Sequence, residues 1–539
     1  MPPTRNCFTA AAALLALTGC AVGPDYHKPQ AQAPAHFGEA GGPGIQTEGL
    51  VNADQLARWW AVFGDPELES LMERAIRNNR DLKTAISRVR QARAEREVAA
   101  AGLLPEVGAT AGYNRSLGSK NVQLPLGALA GGSSASGASG PKPNASAAPA
   151  SGPQPQDESS SPAPVSQTAS IPPGGPSSPF GEGGLPGVTT NLYQAGFDAV
   201  WEADIFGGTR RAIEAASAEA AAAQEGEYGV QVTLTGEVAT TYMQLRQAQQ
   251  RAEIARGNIE AQRRTWRIAD DKFRQGLGSE AEAAQDLAQL RASEASTAPL
   301  VAAQRTAQHE IAFLLGEDPT ALADELSATR PLPQIPADVA IGMPADLLLR
   351  RPDIRQAERN LAAATAEVGV ATAQLYPSFS ITGTLGVDSS DLKHLPEWSS
   401  RYYSVAPGVS WPILDWSRLR AAIRVQDELH EQALLAYENS FLMALKDVED
   451  ALALYRFEID RHRGLVEAVD QARRARDVTA QIHEHGLTDA TQTLIADGAV
   501  FQAEDALAQS DAALRVDLVA LFKALGGGWV QRDRESING

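Results

Sequence analysis

Ser378-Phe-Ser-Ile-Thr-Gly-Thr-Leu-Gly-Val387 alternates between two kinds of side chain. The odd positions Phe379, Ile381, Leu385 and Val387 are apolar, while Ser378, Ser380, Thr382 and Thr384 are polar. Successive side chains of a strand point to opposite faces, so this alternation predicts a strand with one apolar and one polar side. Downstream, Tyr403, Val405, Val409 and Trp411 alternate with Ser404, Gly408 and Ser410. Far upstream the pattern recurs twice. Val107, Ala109, Ala111 and Tyr113 form one odd set. Tyr193, Phe197 and Trp201 form another, against Gln194, Asp198 and Glu202. Each segment has the roughly 9–11 residues that cross a bilayer when a strand is tilted. Aromatics near the strand ends match the interfacial girdles of membrane strands.

Pro377, just before the quoted strand, closes a block that occurs twice. A shift of 272 places Asp81–Pro105 on Asp353–Pro377 with 10 of 25 positions identical. Alanine matches carry little weight in an Ala-rich chain. The informative ones are Asp81/Asp353, Glu95/Glu367, Val98/Val370, Leu103/Leu375 and Pro105/Pro377, with Leu82/Ile354 a close pair. A second block repeats at a shift of 210: Val238 on Val448, Arg246 on Arg456, Arg251 on Arg461, Gly276-Leu277 on Gly486-Leu487, and Leu315-Gly316 on Leu525-Gly526. The two halves therefore share one plan: a helix, two strands, then two helices. The shift changes because the first copy is longer. Pro105 to Ile205 spans 100 residues, whereas the matching Pro377 to Ile413 spans 36. The excess falls at about 119–186, a Gly/Ser/Pro/Ala tract. Such a tract buries too little apolar surface to offset its ordering entropy and is expected to be disordered.

The helices are long. From Thr209 to about Phe273 there is no proline and the composition is rich in Ala, Glu, Arg and Gln. At about 1.5 Å per residue such a helix approaches 100 Å. Ser417 to about His485 is similar. Each ends at a Gly-Leu pair whose glycine suits a left-handed C-cap. A returning helix follows, ending near Leu315-Gly316 or Leu525-Gly526, so each pair reads as an antiparallel coiled-coil hairpin. Pro299 interrupts the first returning helix, where a kink is expected.

The first twenty residues are a targeting segment. Arg5 supplies a positive charge and Phe8 to Leu17 a short apolar core. Leu17-Thr18-Gly19-Cys20 resembles a bacterial lipobox, which implies lipidation of Cys20 and cleavage before it. Ala21, rather than Asp, fits delivery to the outer membrane. Cys7 lies in the leader, so the mature chain has no internal disulfide and no thiol metal cluster. A net charge of −19 argues against nucleic acid as a partner. The expected divisions are a signal peptide (1–19), a lipidated segment (20–60), a first repeat (61–335) carrying the insertion, a second repeat (336–530) and a tail (531–539).

Four membrane strands cannot close a barrel, because about eight is the smallest number that works. An open sheet in lipid leaves unpaired edges at several kcal/mol per group, so other copies must supply strands. Two copies would give eight strands, whose interior side chains fill. Three give twelve around a wide lumen with a polar inner face, and three sets of hairpins would prolong that lumen as a tube. The expected class is mainly α with membrane β, and the expected function is conduction.

The residues at this point resemble the TolC-like outer-membrane factors, specifically the lipoprotein branch serving RND efflux systems. The markers are Cys20-Ala-Val-Gly-Pro-Asp-Tyr26, Trp59-Trp60 with Phe63-Gly-Asp-Pro-Glu-Leu68, Asp346-Leu-Leu-Leu-Arg-Arg-Pro-Asp-Ile354 and Gln502-Ala-Glu-Asp-Ala-Leu507. The resemblance spans nearly the whole mature chain. It implies a homotrimer with a 12-stranded β-barrel over an α-helical barrel, working with a periplasmic membrane-fusion adaptor and an inner-membrane RND transporter to expel small molecules. Gly276, Leu277, Gly486 and Leu487 match the family's hairpin tips, where adaptors dock. Family members often place an Asp nine residues after the second tip glycine. This chain has Ile495 there, with Asp489 and Asp497 nearby, so an apolar narrowing that gates by dewetting is one expectation and helix packing the other.

Other signals weigh less. His483-Glu-His485 suggests a metal site only weakly, because residues i and i+2 do not share a helix face. Asp270-Asp271 and Glu449-Asp450 read as charged helix faces, with no base or nucleophile to make them catalytic. Arg350-Arg351-Pro352 reads as a turn and interface feature, and Asn144-Ala145-Ser146 as a chance glycosylation pattern. No Gly-rich phosphate loop occurs, so no cofactor is expected. A protein-secretion outlet is the alternative within the duct reading. A periplasmic adaptor lipoprotein is disfavoured by the four bilayer-length strands, and a cell-wall enzyme by the lack of a catalytic constellation.

Overall fold

The computed structural model describes residues 21–29, 34, 37–39, 45–46, 53–121, 188–335, 339–340, 348–485, 487 and 490–530. The leader with Cys20, the insertion beyond residue 121, the tail 531–539, Gly486 and Asp489 lie outside the described residues.

In chain order the elements are β1 (Ile45–Gln46), α1 (Ala53–Ala57), a 3-10 turn at Trp59–Phe63, α2 (Pro66–Asn78), α3 (Arg80–Ala101), β2 (Glu106–Leu117), β3 (Thr189–Ala203), α4 (Gly208–Arg274), α5 (Glu280–Ala295) and α6 (Thr297–Leu314). Then follow β4 (Val339–Ala340), α7 (Pro352–Ala373), β5 (Ser378–Ser389), β6 (Arg401–Ser410), α8 (Trp416–Glu484) and α9 (Ala490–Ala524). The chain divides into two compact units. One is the strand unit, residues 105–201 and 380–408; the other holds the helices.

In the strand unit, β2, β3, β5 and β6 form one sheet in that order. β2 and β3 pair antiparallel from Glu106↔Val200 to Leu117↔Thr189. Tyr113 stacks on its cross-strand partner Tyr193 with ring centroids 4.6 Å apart, the kind of pair that pins register. The lengths, 12, 15, 12 and 10 residues, suit tilted membrane strands.

In the helical unit, α4 is 67 and α8 is 69 residues long. The helices form a row. α3 and α6 pack on one flank of α4, α7 and α9 on the other, and α8 packs on the far side of α7 and α9. The first returning helix breaks at Ser296 into α5 and α6. A kink at Pro299 was the expectation; the break falls three residues earlier. Proline has no N–H for the carbonyl four residues back and its ring clashes there, so the ladder fails at Ala295. α9, the same element in the second copy, has no proline and runs unbroken.

Three of the repeat glycines that end helices do one job. Gly276, Gly316 and Gly526 have φ of 72°, 71° and 70°, a region where other residues clash. In the first, Gly276 N–H donates to Phe273 O and Leu277 N–H to Lys272 O, a Schellman motif. Leu487 N–H repeats the second bond with Ile482 O at 3.1 Å.

The repeat also explains two residues that share no chemistry. Asn79 and Arg351 are 272 apart, and each precedes the helix of its repeat. Asn79 Nδ2 donates to Leu314 O at 2.8 Å and Arg351 Nη1 to Ala524 O at 3.0 Å. Leu314 and Ala524 are 210 apart, so both side chains satisfy the end of a returning helix, one as an amide and the other as a guanidinium. The core lies against the middle of α4: Trp59, Phe63, Leu68, Leu71, Tyr242 and Leu518 are buried together. Trp59 stacks on Phe522 at 5.5 Å.

Candidate functional site: hairpin tips, entrance residues and the sheet face

The tips are the ends of the two helical hairpins. The Schellman turn leaves Leu277 pointing outward, 75 % exposed, and Leu487 is 78 % exposed at the second tip. Ser279 restarts the chain as the N-cap of α5, its hydroxyl accepting from Ala281 N–H at 3.2 Å. Leu277 and Leu487 are thus large apolar side chains that stand clear of their own chain. Burying a leucine against a partner is worth about 1.5–3 kcal/mol.

Further from the second tip, Ile495 is 60 % exposed and belongs to no buried cluster among the described residues. Asp497 is half-buried on α9. Burial pushes its carboxyl up, while Arg476 on α8 and Arg264 on α4 pull it down. Arms of both hairpins therefore converge electrostatically on Asp497. Of the other expected site residues, Gly486 and Asp489 lie outside the described residues.

The sheet carries its chemistry by face. Val107, Phe197, Leu385, Tyr403, Val405 and Val409, all odd positions, are exposed. On the even side polar groups lie across glycines. Asp198 pairs with Gly108 and Gln194 with Gly112, and the Tyr402 hydroxyl sits over Gly386 and Gly196. One face is apolar and, among the described residues, uncovered; the other is polar.

Cys20 itself lies outside the described residues, but the segment after it is firmly held. Val22 N–H donates to Phe206 O at 3.0 Å. Arg211 donates to Val22 O and pairs with Asp25 at 2.7 Å. Gly23 and Gly369 touch so closely that a Cβ on Gly23 would lie 2.4 Å from Gly369 Cα. Tyr26 donates to Glu358 at 3.0 Å and Lys28 pairs with the same carboxylate. The Gly-Pro-Asp-Tyr marker is thus a docking strap on α4 and α7.

Some residues read as bland on the sequence have specific work. Glu449 accepts from the N–H groups of Gly38 and Glu39 at 2.7 and 3.0 Å, fastening the N-terminal segment to α8. Asp450 pairs with Lys446 and Asp270 with Arg274, each four apart on one helix face. Arg351 is a buried interface residue, as its sequence context suggested, bound to Asp353 and Asp447 as well as to Ala524 O. The roles of Arg211, Asn79 and Glu449 had no sequence signal apart from the 272-residue pairing of Asn79 with Arg351.

Amphipathic bilayer-length strands joined to paired helices of nearly 70 residues define an outer-membrane channel protein of TolC-like fold. The family described as "Outer membrane efflux protein" matches residues 71–142, 167–317 and 343–527, and the chain belongs to that family. It is 30 % identical over 492 residues to the pyoverdine export outer membrane protein OpmQ of Pseudomonas aeruginosa, covering 91 % of each chain. It is 29 % identical to the toluene efflux pump outer membrane protein TtgI of Pseudomonas putida, covering 96 % of this chain and 97 % of that one. Among solved structures, the outer-membrane channel OprN superposes with a TM-score of 0.76 at 32 % identity, over 95 % of this chain and 100 % of that one. The chain is therefore an efflux channel subunit of the outer membrane.

Proposed function

We propose that three copies of this chain form one passive duct that carries small molecules out of the periplasm. In this reading a periplasmic adaptor docks at Leu277 and Leu487, an inner-membrane RND transporter drives the flux, and Cys20 carries a lipid. The observation that supports it best is that, among the described residues, the sheet has two unpaired edge strands and the helix row two uncovered flanks. β2 and β6 are the edges of the sheet, and α3/α6 and α8 are the flanks of the helix row. Unpaired strand edges are untenable in lipid, so one copy's β6 must meet the next copy's β2.

The internal repeat makes that contact specific. Phe206 stacks on Tyr376 at 4.7 Å where the first repeat meets the second. Ile205 aligns with Ile413, so the counterpart of Phe206 is Leu414, and that of Tyr376, 272 earlier, is Leu104. Leu414 is 97 % and Leu104 69 % exposed, and they belong to opposite ends of the row. If each second repeat meets the next first repeat in the same way, Leu414 of one copy lies on Leu104 of its neighbour. Leu104→Cys with Leu414→Cys should therefore give a covalent ladder ending at trimer on oxidation. No crosslink, or a ladder running past trimer, would reject the arrangement.

The small-molecule reading is tested by deleting the gene and measuring susceptibility to drugs, solvents and metals. Increased susceptibility is expected; unchanged susceptibility with loss of a secreted protein would assign the duct to secretion.

The anchor is auxiliary in this reading, because twelve membrane strands hold a trimer without it. Cys20→Ala behind an ordinary signal should still yield membrane-inserted trimer, seen as a heat-modifiable band in outer-membrane fractions. Complete loss of insertion would overturn that. Ile495 forms the apolar narrowing of the resting entrance. Ile495→Asp should raise resting single-channel conductance by wetting the constriction, and an unchanged conductance would leave Ile495 a packing residue.

A further inference from the structure

The helical unit contains a hollow of about 570 Å³ between the two repeats. Asn79 and Asp81 line one side, Arg351 and Asp353 the other, with α4 as its floor. Gly226, Val230, Thr233 and Glu237 of α4 point into it. They lie on the helix face opposite Thr235, Val238 and Tyr242, which are buried in the core. On the duct reading, on which this inference rests, that opposite face lines the lumen.

The repeat supplies a twin for each charge here. Asp353 and Asp447 are the counterparts of Asp81 and Glu237, at shifts of 272 and 210. In the second repeat the Arg351 guanidinium neutralises both, binding Asp353 at 2.7 Å and Asp447 at 3.0 Å. In the first repeat the residue at the arginine's place is Asn79, which is neutral and already spends its amide on Leu314 O. Among the described residues neither Asp81 nor Glu237 has an ion-pair partner. The same two carboxylates that hold a guanidinium in one repeat thus stand without one in the other.

The space also differs between the twins. Gly226, Gly229 and Thr233 on α4 correspond to Ala436, Asn439 and Met443 on α8. Glycine inside a helix costs about 1 kcal/mol relative to alanine. A Cβ at Gly229 would meet nothing within 4 Å, so no neighbour requires its absence. Over Gly226 the Gln356 amide lies 3.2 Å from where a Cβ would be, so the room over α4 is at Gly229, where the second repeat carries Asn439. Val230 and Leu314 give the hollow apolar wall. Two cations line the hollow: Arg351, paired with Asp353 and Asp447, and Lys523, which lies along Gly236.

We propose that this hollow binds organic cations, a guanidinium-, amidinium- or ammonium-bearing molecule with an apolar body. The cationic head takes the place that Arg351 fills in the second repeat, between Asp81 and Glu237. The apolar body lies on Val230 and Leu314. A trimer would hold three such sites on its wall, each a resting point for cationic cargo.

The probe is 4-fluorobenzamidinium, followed by fluorine NMR line broadening on the purified full-length protein in detergent, with neutral 4-fluorobenzamide as the control. The cation should bind saturably and the amide should not. Glu237→Gln and Asp81→Asn change exposed side chains and should each weaken binding about tenfold. Lys523→Met should strengthen it several-fold by removing an opposing charge. Asn79→Arg, which restores the twin's guanidinium, should abolish it. Because Asn79 is buried and that variant risks misfolding, Glu237→Gln and Lys523→Met decide the matter. Equal binding by wild type, Glu237→Gln and Lys523→Met overturns the site. That outcome leaves the duct untouched, since the Leu104/Leu414 crosslink tests the trimer separately.

Discussion

Leu385→Arg is expected to abolish stable insertion, while Thr384→Arg, one residue away, should leave the trimer intact. The two side chains belong to the same strand and opposite faces. Leu385 is near the middle of β5 and 60 % exposed on the apolar side; Thr384 is on the polar side. An arginine on the lipid face at the bilayer midplane costs about 2–4 kcal/mol per strand, and a three-copy barrel incurs it three times. An arginine on the lumen face remains in water and changes selectivity rather than stability. The comparison is read as heat-modifiable trimer in outer-membrane fractions, with total expression as the control. Equal loss in both variants would mean that the sheet's faces are assigned wrongly. Tolerance of Leu385→Arg alone would mean that this face does not meet lipid.

That prediction was available from the sequence because strand alternation is a local property. Phe379, Ile381, Leu385 and Val387 need only their neighbours in the chain to declare a face. The long helices were equally legible, since an uninterrupted run without proline from Thr209 has few alternatives. The tip glycines were legible for a different reason. A left-handed C-cap demands glycine whatever surrounds it, and Gly276 has the φ that the demand implies. What stayed hidden depends on residues far apart in sequence. The N-terminal segment is fastened at Glu449, 411 residues after Gly38. Asn79 and Arg351 look unrelated until two different repeat shifts are applied together. The two-residue parallel ladder of β1 and β4 is too short to carry any pattern. The helix break at Ser296 was misplaced by three residues because a proline disrupts the carbonyl behind it rather than its own position. Within the candidate site, Leu277 and Leu487 could be named from the repeat, but the convergence of Arg264, Arg476 and Asp497 from three helices could not.

The second large effect concerns the Phe63-Gly-Asp-Pro-Glu-Leu68 marker. Gly64 turns the chain with φ of 57°, and Asp65 caps α2 by accepting from Glu67 N–H at 2.9 Å and Leu68 N–H at 3.2 Å. Pro66 follows as the first helical residue, where its missing N–H costs nothing. This cap aims Glu67 inward at α4. There it meets Arg246, whose side chain is wholly buried, and Arg330. Arg246 also donates to Gln249 Oε1 at 2.6 Å and Ala328 O at 2.8 Å. Tyr242, on the same helix, donates to Asp65 at 2.7 Å, and burial raises its hydroxyl's pKa. The marker thus fastens a short helix to the core through Glu67, whose buried carboxylate holds the buried Arg246 and the half-exposed Arg330. Removing one partner strands the other in a dry site, at a cost of about 3–5 kcal/mol. Glu67→Ala should therefore lower the unfolding midpoint sharply in denaturant. Replacing both partners, Glu67→Leu with Arg246→Met, leaves no stranded charge and should recover most of the loss, because a buried pair contributes little beyond an apolar substitute. A double variant as unstable as the sum of the singles would show that the pair's bonds to Gln249 and Ala328 O, rather than charge balance, hold α2 in place. The effect should appear in stability alone. Asp81, Glu237 and the hairpin tips lie on other faces of the unit, so conductance of whatever trimer forms should equal that of the wild type.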